Sequence, residues 1–245
     1  MENRLTVKAT ELLSPNMRRI TFEGEHLKQL STESDGAYVK LQVPSIAADR
    51  GKGPKMRPYT IRKVLESRGE IFIDFALHEP AGPATAWALQ AKVGDEIGMK
   101  GPGPKRFNDS NEGWYLFAAD MSAIPAAIAS IERLPAKSTG IAFFEIVDKK
   151  DMQEVAKPAG VSIQWIINED PHKENDKQLS SIRALEIPED PNVFVAGENS
   201  TVRKIKEHLM KDAHFQTAKN VYMSSFWKVG KVEEDHKIVK VSYSV

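Results

Sequence analysis

The apolar residues of this chain change their pattern near residue 113, and that change restricts the fold more than any other feature. Before it, short runs rich in β-branched and aromatic residues are separated by turn residues, which predicts β-strands. The predicted strands are Leu5–Ala9, Met17–Glu23, Tyr38–Val43, Arg57–Arg62, Glu70–Leu77 and Glu96–Lys100. Six short strands at this spacing predict an antiparallel barrel, with one helix at Thr85–Ala91.

After residue 113, strand-length apolar runs alternate with helical patterns. The expected strands are Trp114–Ala118, Gly140–Val147, Val161–Ile167 and Asn192–Ala196, and the expected helices are Ile124–Leu134, Gln178–Leu185 and Asn199–Lys211. This alternation predicts a doubly wound α/β domain, to which Lys237–Tyr243 adds a strand. The polar loop Phe107–Gly113 separates the halves, so we predict two domains, residues 1–110 and 111–245.

The composition narrows the chemistry. The chain has 245 residues and no cysteine, which excludes a disulfide framework, a thiolate zinc site, a cysteine-held iron–sulfur cluster and a cysteine nucleophile within it. The histidines lack metal-ligand spacing, so no metal site is expected. Lys plus Arg equals Asp plus Glu, so no net field favours nucleic acid. With neither a secretory signal nor a spanning apolar run, we expect a cytoplasmic monomer.

The segment Arg57-Pro58-Tyr59-Thr60 carries the first indication of function. Arg57 and Tyr59 are two residues apart in a predicted strand, so their side chains leave the same face. A guanidinium suits a diphosphate because its planar fork matches phosphate oxygens. A tyrosine ring can cover a planar ligand. The segment therefore indicates a cation and a ring platform side by side.

A second segment, Gly82-Pro83-Ala84-Thr85, follows and opens the predicted helix. Its glycine permits close approach of the backbone to a ligand, and the first amides of a helix bind anions. Together with Arg57 and Tyr59, this order of cation, ring and amides indicates a flavin dinucleotide site. No catalytic side chain is expected, because the flavin carries out the redox chemistry.

This order resembles the ferredoxin–NADP reductase superfamily, in which Arg-x-Tyr-Ser/Thr and a later Gly-x-x-Ser/Thr bind FAD. Three later features resemble the siderophore-interacting protein family: Phe194–Glu198 with its Gly-Glu pair, Val202-Arg203 on a basic helix, and Ser225–Gly230 with Trp-x-x-Gly. The resemblance runs from about Leu5 to Gly230. It implies a ferric-siderophore reductase that takes electrons from NADPH, NADH or a ferredoxin.

The resemblance also implies roles for single residues. Arg57 would bind the FAD diphosphate, Tyr59 would stack on the isoalloxazine, and Thr60 would lie near its N5 atom. The remaining residues that the resemblance places in the FAD site are Pro58, Gly82, Ala84, Thr85 and, as a further candidate contact, His78.

A nicotinamide cofactor would meet the turn after the first strand of the second domain. The residues expected to contact NAD(P)H are Asp120, Ser122, Ala123, Gly197 and Glu198. The family more often has Gly-Asp-Glu-Thr-Ala-x-Pro at this turn, where this chain has Ala119, Met121 and Ser122 instead. The missing glycine leaves less room for close approach of a diphosphate. Lys149-Lys150 either hold a 2′-phosphate or form a solvated turn.

A ferric triscatecholate complex is trianionic, so loop cations are the expected substrate contacts. The candidates are Lys55, Arg106, Lys228 and Lys231. Two alternatives remain at this point. A different flavin reductase on the same fold would lack specificity for iron complexes, and a non-catalytic binding protein would capture ferric siderophores without reducing them.

Overall fold

The structure is a computed structural model that describes residues 3–44, 53–211 and 215–230 in full and the backbone of residues 240–244. Its contacts divide the chain into two compact units, Met1–Lys105 and Arg106–Val245, here termed the N-terminal and C-terminal units. The boundary drawn from the sequence, after residue 110, lies a few residues further along the chain.

In the residues that the structure describes, the N-terminal unit is one antiparallel sheet with a single α-helix. Its strands are β1 (Asn3–Ser14), β2 (Met17–Glu23), β3 (Tyr38–Val43), β4 (Lys55–Thr60), β5 (Lys63–Leu65), β6 (Glu70–Ala76) and β7 (Glu96–Lys100), and helix α1 is Pro83–Gln90. Their order in the sheet is β4-β3-β7-β1-β2-β6-β5. The predicted antiparallel architecture is confirmed, but the predicted six strands are seven. The additional strand is β5, which has only three residues and therefore shows no periodicity.

The sheet curls around an apolar core. The Tyr59 ring on edge strand β4 lies 4.4 Å from the Phe75 ring on β6, although β4 and β6 are far apart in the strand order. The hydrogen-bonded order has two edges, β4 and β5, so the sheet is a curled half-barrel rather than a closed barrel. Fully buried residues of three strands fill it, namely Leu5, Ile20, Phe22, Ile71, Ile73 and Phe75.

The C-terminal unit alternates strands and helices as the sequence predicted. Its strands are β8 (Trp114–Asp120), β9 (Thr139–Ile146), β10 (Gly160–Ile167), β11 (Asn192–Glu198), β12 (Asn220–Trp227) and β13 (Lys240–Ser244), and its helices are α2 (Ile124–Ile131), α3 (Lys177–Arg183) and α4 (Asn199–Leu209). The order is β10-β9-β8-β11-β12-β13. All pairs are parallel except β12 with β13. Residues 237–239 of the predicted last strand lie outside the described residues.

Apolar cores cover both faces of this sheet, which confirms a doubly wound domain. Alternate residues of β8 point to opposite faces, with Phe117 in one core and Leu116 in the other. Helix α2 packs on the first face, and helices α3 and α4 pack on the second. The chain reverses its direction of winding between β8 and β11, and ligands of such folds bind at the carboxyl ends of these strands.

Candidate functional site

Strand β4 presents part of the flavin motif on the inner face of the curled sheet. In the register with β3, Arg57 lies opposite Leu41 and Tyr59 lies opposite Val39. Opposite residues of an antiparallel pair share a face, and Leu41 and Val39 are fully buried. Arg57 and Tyr59 therefore share a face, as the sequence predicted, and both point inward at the edge of the sheet.

The other two residues of the motif point the opposite way. Pro58 lies opposite Lys40, and both are exposed. Thr60 lies opposite Tyr38 at the end of the strand and is half-buried. The structure thus separates Pro58 from the face that carries Arg57 and Tyr59.

Helix α1 begins with free amides. Gly82 is its N-cap, without a side-chain cap, and Pro83 has no N–H. The first helical bond runs from the Ala86 amide to the Gly82 carbonyl at 2.9 Å, so the amides of Ala84 and Thr85 have no acceptor within the helix. The first turn contains no acidic residue. This helix end can therefore accept a phosphate.

The helix start and the β4 face meet at the end of β6. The Tyr59 ring contacts Phe75 on β6. The Thr85 hydroxyl donates to the carbonyl of Ala76, the residue that follows Phe75, at 3.4 Å. His78 borders the same turn, because a Cβ on Gly82 would lie 3.6 Å from its ring. A cation, an aromatic ring and free helix amides thus lie in one neighbourhood. This set of groups fits a flavin dinucleotide.

Asp120, the last residue of β8, is the centre of a hydrogen-bond network in the C-terminal unit. Its Oδ1 accepts bonds from the amide and the hydroxyl of Ser122, at 2.9 and 2.6 Å. Its Oδ2 accepts bonds from the Glu198 amide at 2.8 Å and from Trp227 Nε1 at 2.7 Å. A carboxylate accepts about four hydrogen bonds, so Asp120 is saturated by its own chain. Burial raises the pKa of Asp120, and these hydrogen bonds oppose that shift.

Glu198 forms the other half of this network and caps helix α4. Its Oε2 accepts bonds from the Ser200 amide, the Ser200 hydroxyl and the Thr201 amide, at 2.6, 2.6 and 3.0 Å. Its Oε1 accepts a bond from the Val229 amide at 3.2 Å. The preceding residue, Gly197, has a φ of 142°, and a Cβ there would lie 2.5 Å from Asp120 Oδ2. Only glycine lets Asp120 come this close.

The five residues expected to contact NAD(P)H therefore lie together at the carboxyl ends of β8 and β11. Their polar groups bond to one another and to Ser200, Thr201, Trp227 and Val229 of the same chain. The Ala123 amide, at the start of α2, donates to the Asp120 carbonyl at 2.9 Å and is buried. The indole of Trp227 completes the network. The sequence indicated Trp227 only as part of the family's Trp-x-x-Gly motif and not as a partner of Asp120, because the two residues are 107 positions apart.

Glu145 is a residue that the sequence did not point to. It lies opposite Asp120 in the parallel register of β8 and β9. Its Oε1 accepts a bond from Asn168 Nδ2 at 2.8 Å, whereas its buried Oε2 has no hydrogen-bond partner among the described residues. Burial raises the pKa of Glu145; Asn168 lowers it, and the charge of Asp120 adds to the rise. Its place at a strand end next to Asp120 is the only sequence feature that could have indicated it.

The candidate substrate cations occupy different elements. Lys55 is the half-buried first residue of β4. Arg106 is exposed and lies near Tyr222 on β12: burial raises the pKa of the Tyr222 hydroxyl, and a hydrogen bond with Ser224 and the charge of Arg106 oppose that rise. Lys228 is exposed and follows the last residue of β12. Lys231 lies outside the described residues.

Lys149 and Lys150 are exposed in a short turn. Asp148 caps this turn by accepting a bond from the Lys150 amide at 2.8 Å.

Two features are absent from the described residues. No three His, Asp or Glu side chains in that part of the chain come together as metal ligands. Among the same residues, none of the helices combines the length and the apolar character needed to cross a membrane.

Two family models match the chain. Residues 6–106 match the siderophore-interacting FAD-binding domain, and residues 112–230 match the siderophore-interacting protein. The two matches together extend over nearly all of both units.

Individual proteins agree with these matches. The chain is 30% identical over 239 residues to ferric vibriobactin reductase ViuB of Vibrio cholerae, covering 91% of this chain and 88% of that protein. It is 25% identical over 241 residues to the NADPH-dependent ferric-chelate reductase of Escherichia coli, covering 91% of each. The crystal structure of SipS from Aeromonas hydrophila superposes with a TM-score of 0.81 at 30% identity, covering 96% of this chain and 94% of that one. The chain therefore belongs to the siderophore-interacting protein family.

Proposed function

We propose that the protein is an FAD-dependent reductase that releases iron from ferric siderophores in the cytoplasm. The observation that carries this proposal is the relationship to a protein named ferric vibriobactin reductase over 91% of the chain. The N-terminal unit, which matches the family's FAD-binding domain, has the groups that such a cofactor needs.

Each group at the flavin site has a separate task in this proposal. The Arg57 guanidinium and the amides of Ala84 and Thr85 bind the diphosphate, because each offers donors to phosphate oxygens. The Tyr59 ring, held against Phe75, covers the isoalloxazine. Thr60 lies at the end of the same strand. When bound, FAD supplies the ability to take up two electrons and to release them one at a time.

The substrate of this proposal is an anionic iron complex. Lys55, Arg106 and Lys228 supply positive charge on their respective units, and such charge raises the local concentration of an anion. Siderophore oxygens attract Fe(III) more strongly than Fe(II), because the attraction grows with the charge of the ion. One-electron reduction therefore loosens the complex and frees the iron.

The donor in this proposal is NADPH, NADH or a ferredoxin. A relative named NADPH-dependent ferric-chelate reductase supports the first of these. A nicotinamide nucleotide would bind at the carboxyl edge of the C-terminal sheet, where Ser122, Ala123 and Gly197 lie. Asp120 and Glu198 already have internal partners there.

One anaerobic experiment tests the function. The FAD-bound protein is reduced with dithionite, and excess reductant is removed by gel filtration. A ferric triscatecholate is added with a ferrous chelator, and flavin absorbance and chelated Fe(II) are followed together. We expect flavin oxidation with two Fe(II) formed per flavin, because the flavin releases two electrons singly.

Three results would contradict the proposal in different ways. Binding of the ferric complex without Fe(II) formation would indicate a non-catalytic binding protein. Fast reduction of free FMN, with ferric siderophores reduced no faster than simple ferric salts, would indicate a general flavin reductase. Release of FMN instead of FAD on denaturation would contradict the cofactor assignment.

A further inference from the structure

Two carboxylates hold the residues on both sides of Lys228, one through a side chain and one through a backbone amide. The indole of Trp227, the residue before it, donates to Asp120 Oδ2 at 2.7 Å. The amide of Val229, the residue after it, donates to Glu198 Oε1 at 3.2 Å. The Ser225 hydroxyl also donates to the Trp227 carbonyl at 3.2 Å. Lys228 is thus an exposed cation on a segment held at three points.

The local backbone is built for these bonds. Gly197 pairs with Ser225 and Glu198 pairs with Trp227, so Phe226 is an extra residue that forms a bulge in β12. Bulges re-aim the side chains that follow them, and they are common next to binding sites. The bulge allows the indole to reach Asp120, while Gly197 gives that carboxylate room.

The two carboxylates are poorly suited to bind a nucleotide. All four bonds that Asp120 can accept are made within the chain. Glu198 has 9% of its surface exposed, and its Oε2 is fully used by the start of α4. Negative groups at this edge also repel a diphosphate. Each carboxylate instead accepts a hydrogen bond from the Trp227–Val229 segment.

We propose that Asp120 and Glu198 are positioning residues for the iron substrate, which hold Trp227 and Val229 so that the Lys228 ammonium is presented to an anionic ferric complex. This inference rests on the proposed function. A backbone that is already fixed does not lose its freedom when the substrate binds. Fixing one residue in advance is expected to improve affinity by about five- to thirtyfold.

A double-mutant cycle on the FAD-bound, dithionite-reduced protein tests this inference. Lys228→Ala, Trp227→Phe and the double variant are compared by the half-saturating concentration of a ferric triscatecholate in flavin reoxidation. Trp227→Phe keeps an aromatic ring but lacks the N–H that bonds to Asp120. We expect Lys228→Ala to raise that concentration about tenfold and Trp227→Phe to raise it about fivefold. The double variant should match Lys228→Ala alone, since the bond then positions nothing.

Two further variants and a second substrate sharpen the test. Glu198→Gln replaces one acceptor oxygen by an amide and should reproduce the effect of Trp227→Phe. Lys219→Ala removes a lysine just before the opposite end of β12, paired with Asp190 at 3.6 Å, and should change nothing. A neutral ferric trihydroxamate should be reduced with nearly unchanged half-saturation by all variants. In the unmutated protein, slow hydrogen exchange of the Trp227 indole N–H would show that its bond to Asp120 is formed.

The outcomes separate this inference from the proposed function. If the unmutated protein reduces neither complex, the proposed function fails, and this inference with it. If it reduces both but Lys228→Ala has no effect, only this inference is overturned. It is also overturned if Trp227→Phe weakens both substrates equally, or weakens the triscatecholate equally with and without Lys228. Either result would show a general structural role.

Discussion

Replacing Gly197 by alanine tests the network around Asp120 most directly. Gly197 has a φ of 142°, a conformation that other residues rarely adopt. The new Cβ would lie 2.5 Å from Asp120 Oδ2 and 2.6 Å from its Cγ. The carboxylate would have to withdraw by about 0.9 Å to restore ordinary van der Waals contact.

The size of the effect follows from the bonds that this movement breaks. Asp120 Oδ2 accepts bonds from the Glu198 amide at 2.8 Å and from Trp227 Nε1 at 2.7 Å, and both would become too long. A hydrogen bond to a charged group contributes about 1.5–3 kcal/mol, and the backbone strain costs about 1–3 kcal/mol. Allowing for partial relaxation, we expect the free energy of unfolding to fall by about 3–6 kcal/mol. The melting temperature should fall by about 10 °C or more.

Gly230→Ala is the matched control, because it introduces the backbone strain of a positive φ without a clash between the new Cβ and a neighbouring side chain. Gly230 also has a positive φ, 71°, but a Cβ there would meet no atom of the described residues within 4 Å. It should cost only about 1–2 kcal/mol. Scanning calorimetry of the FAD-bound variants compares the two, and Asp120→Ala in the Gly197→Ala background should add less destabilisation than it does alone. Melting temperatures of Gly197→Ala and Gly230→Ala that agree within about 3 °C would refute the reasoning.

Three other predictions concern the flavin, a buried acid and the donor. Arg57→Ala should weaken FAD binding about ten- to a hundredfold with the fold intact, since a charged phosphate contact contributes about 1.5–3 kcal/mol, and fluorescence of released FAD measures this. Burial raises the pKa of Glu145 in the folded state, so the folded protein binds this proton more tightly and stability falls as pH rises from the unfolded pKa through the folded one. Glu145→Gln should therefore raise the free energy of unfolding, and with it the melting temperature, more at pH 8 than at pH 4, and an equal change at both pH values would contradict this. Because the Asp120–Pro125 turn departs from the family pattern, flavin reduction by NADH and by NADPH should differ less than about a hundredfold in stopped-flow measurements.

The sequence predicted the architecture because both units follow simple periodicities. The alternation in β2 and β6 and the continuous apolar runs of β8 and β11 are local properties. The features that the sequence did not predict depend on contacts between residues that are distant in the chain. Strand β5 is held by contacts that no local pattern shows, including a bond from the Val64 amide to Asp35 Oδ1 at 2.7 Å. Strand β1 runs on to Ser14 through two irregularities in its register, and there Leu12 is 59% exposed.

The sequence could predict which residues of the candidate site lie close together, because neighbouring strands determine their positions. Parallel strands end at one edge, so Asp120 and Glu198 were expected to lie close together. Their bonding partners were not predictable, because the Trp227 indole reaches Asp120 only through the bulge at Phe226. The resemblance to the family grouped these residues as contacts of the electron donor, a role that stays a prediction. It could not show that their oxygens are occupied by the chain itself.

The helix starts of the two units differ in what they offer to a phosphate group. This difference affects which electron donor can bind. Helix α1 starts with free amides and no acid in its first turn, so it attracts a diphosphate. At the winding reversal of the C-terminal sheet, Asp120 takes the Ser122 amide before α2, and Glu198 takes the first amides of α4. The start of α4 is therefore already capped by a carboxylate, whereas α2 begins without a side-chain cap. The diphosphate of a nicotinamide donor would gain little from the start of α4, which predicts low affinity for NADH and NADPH alike.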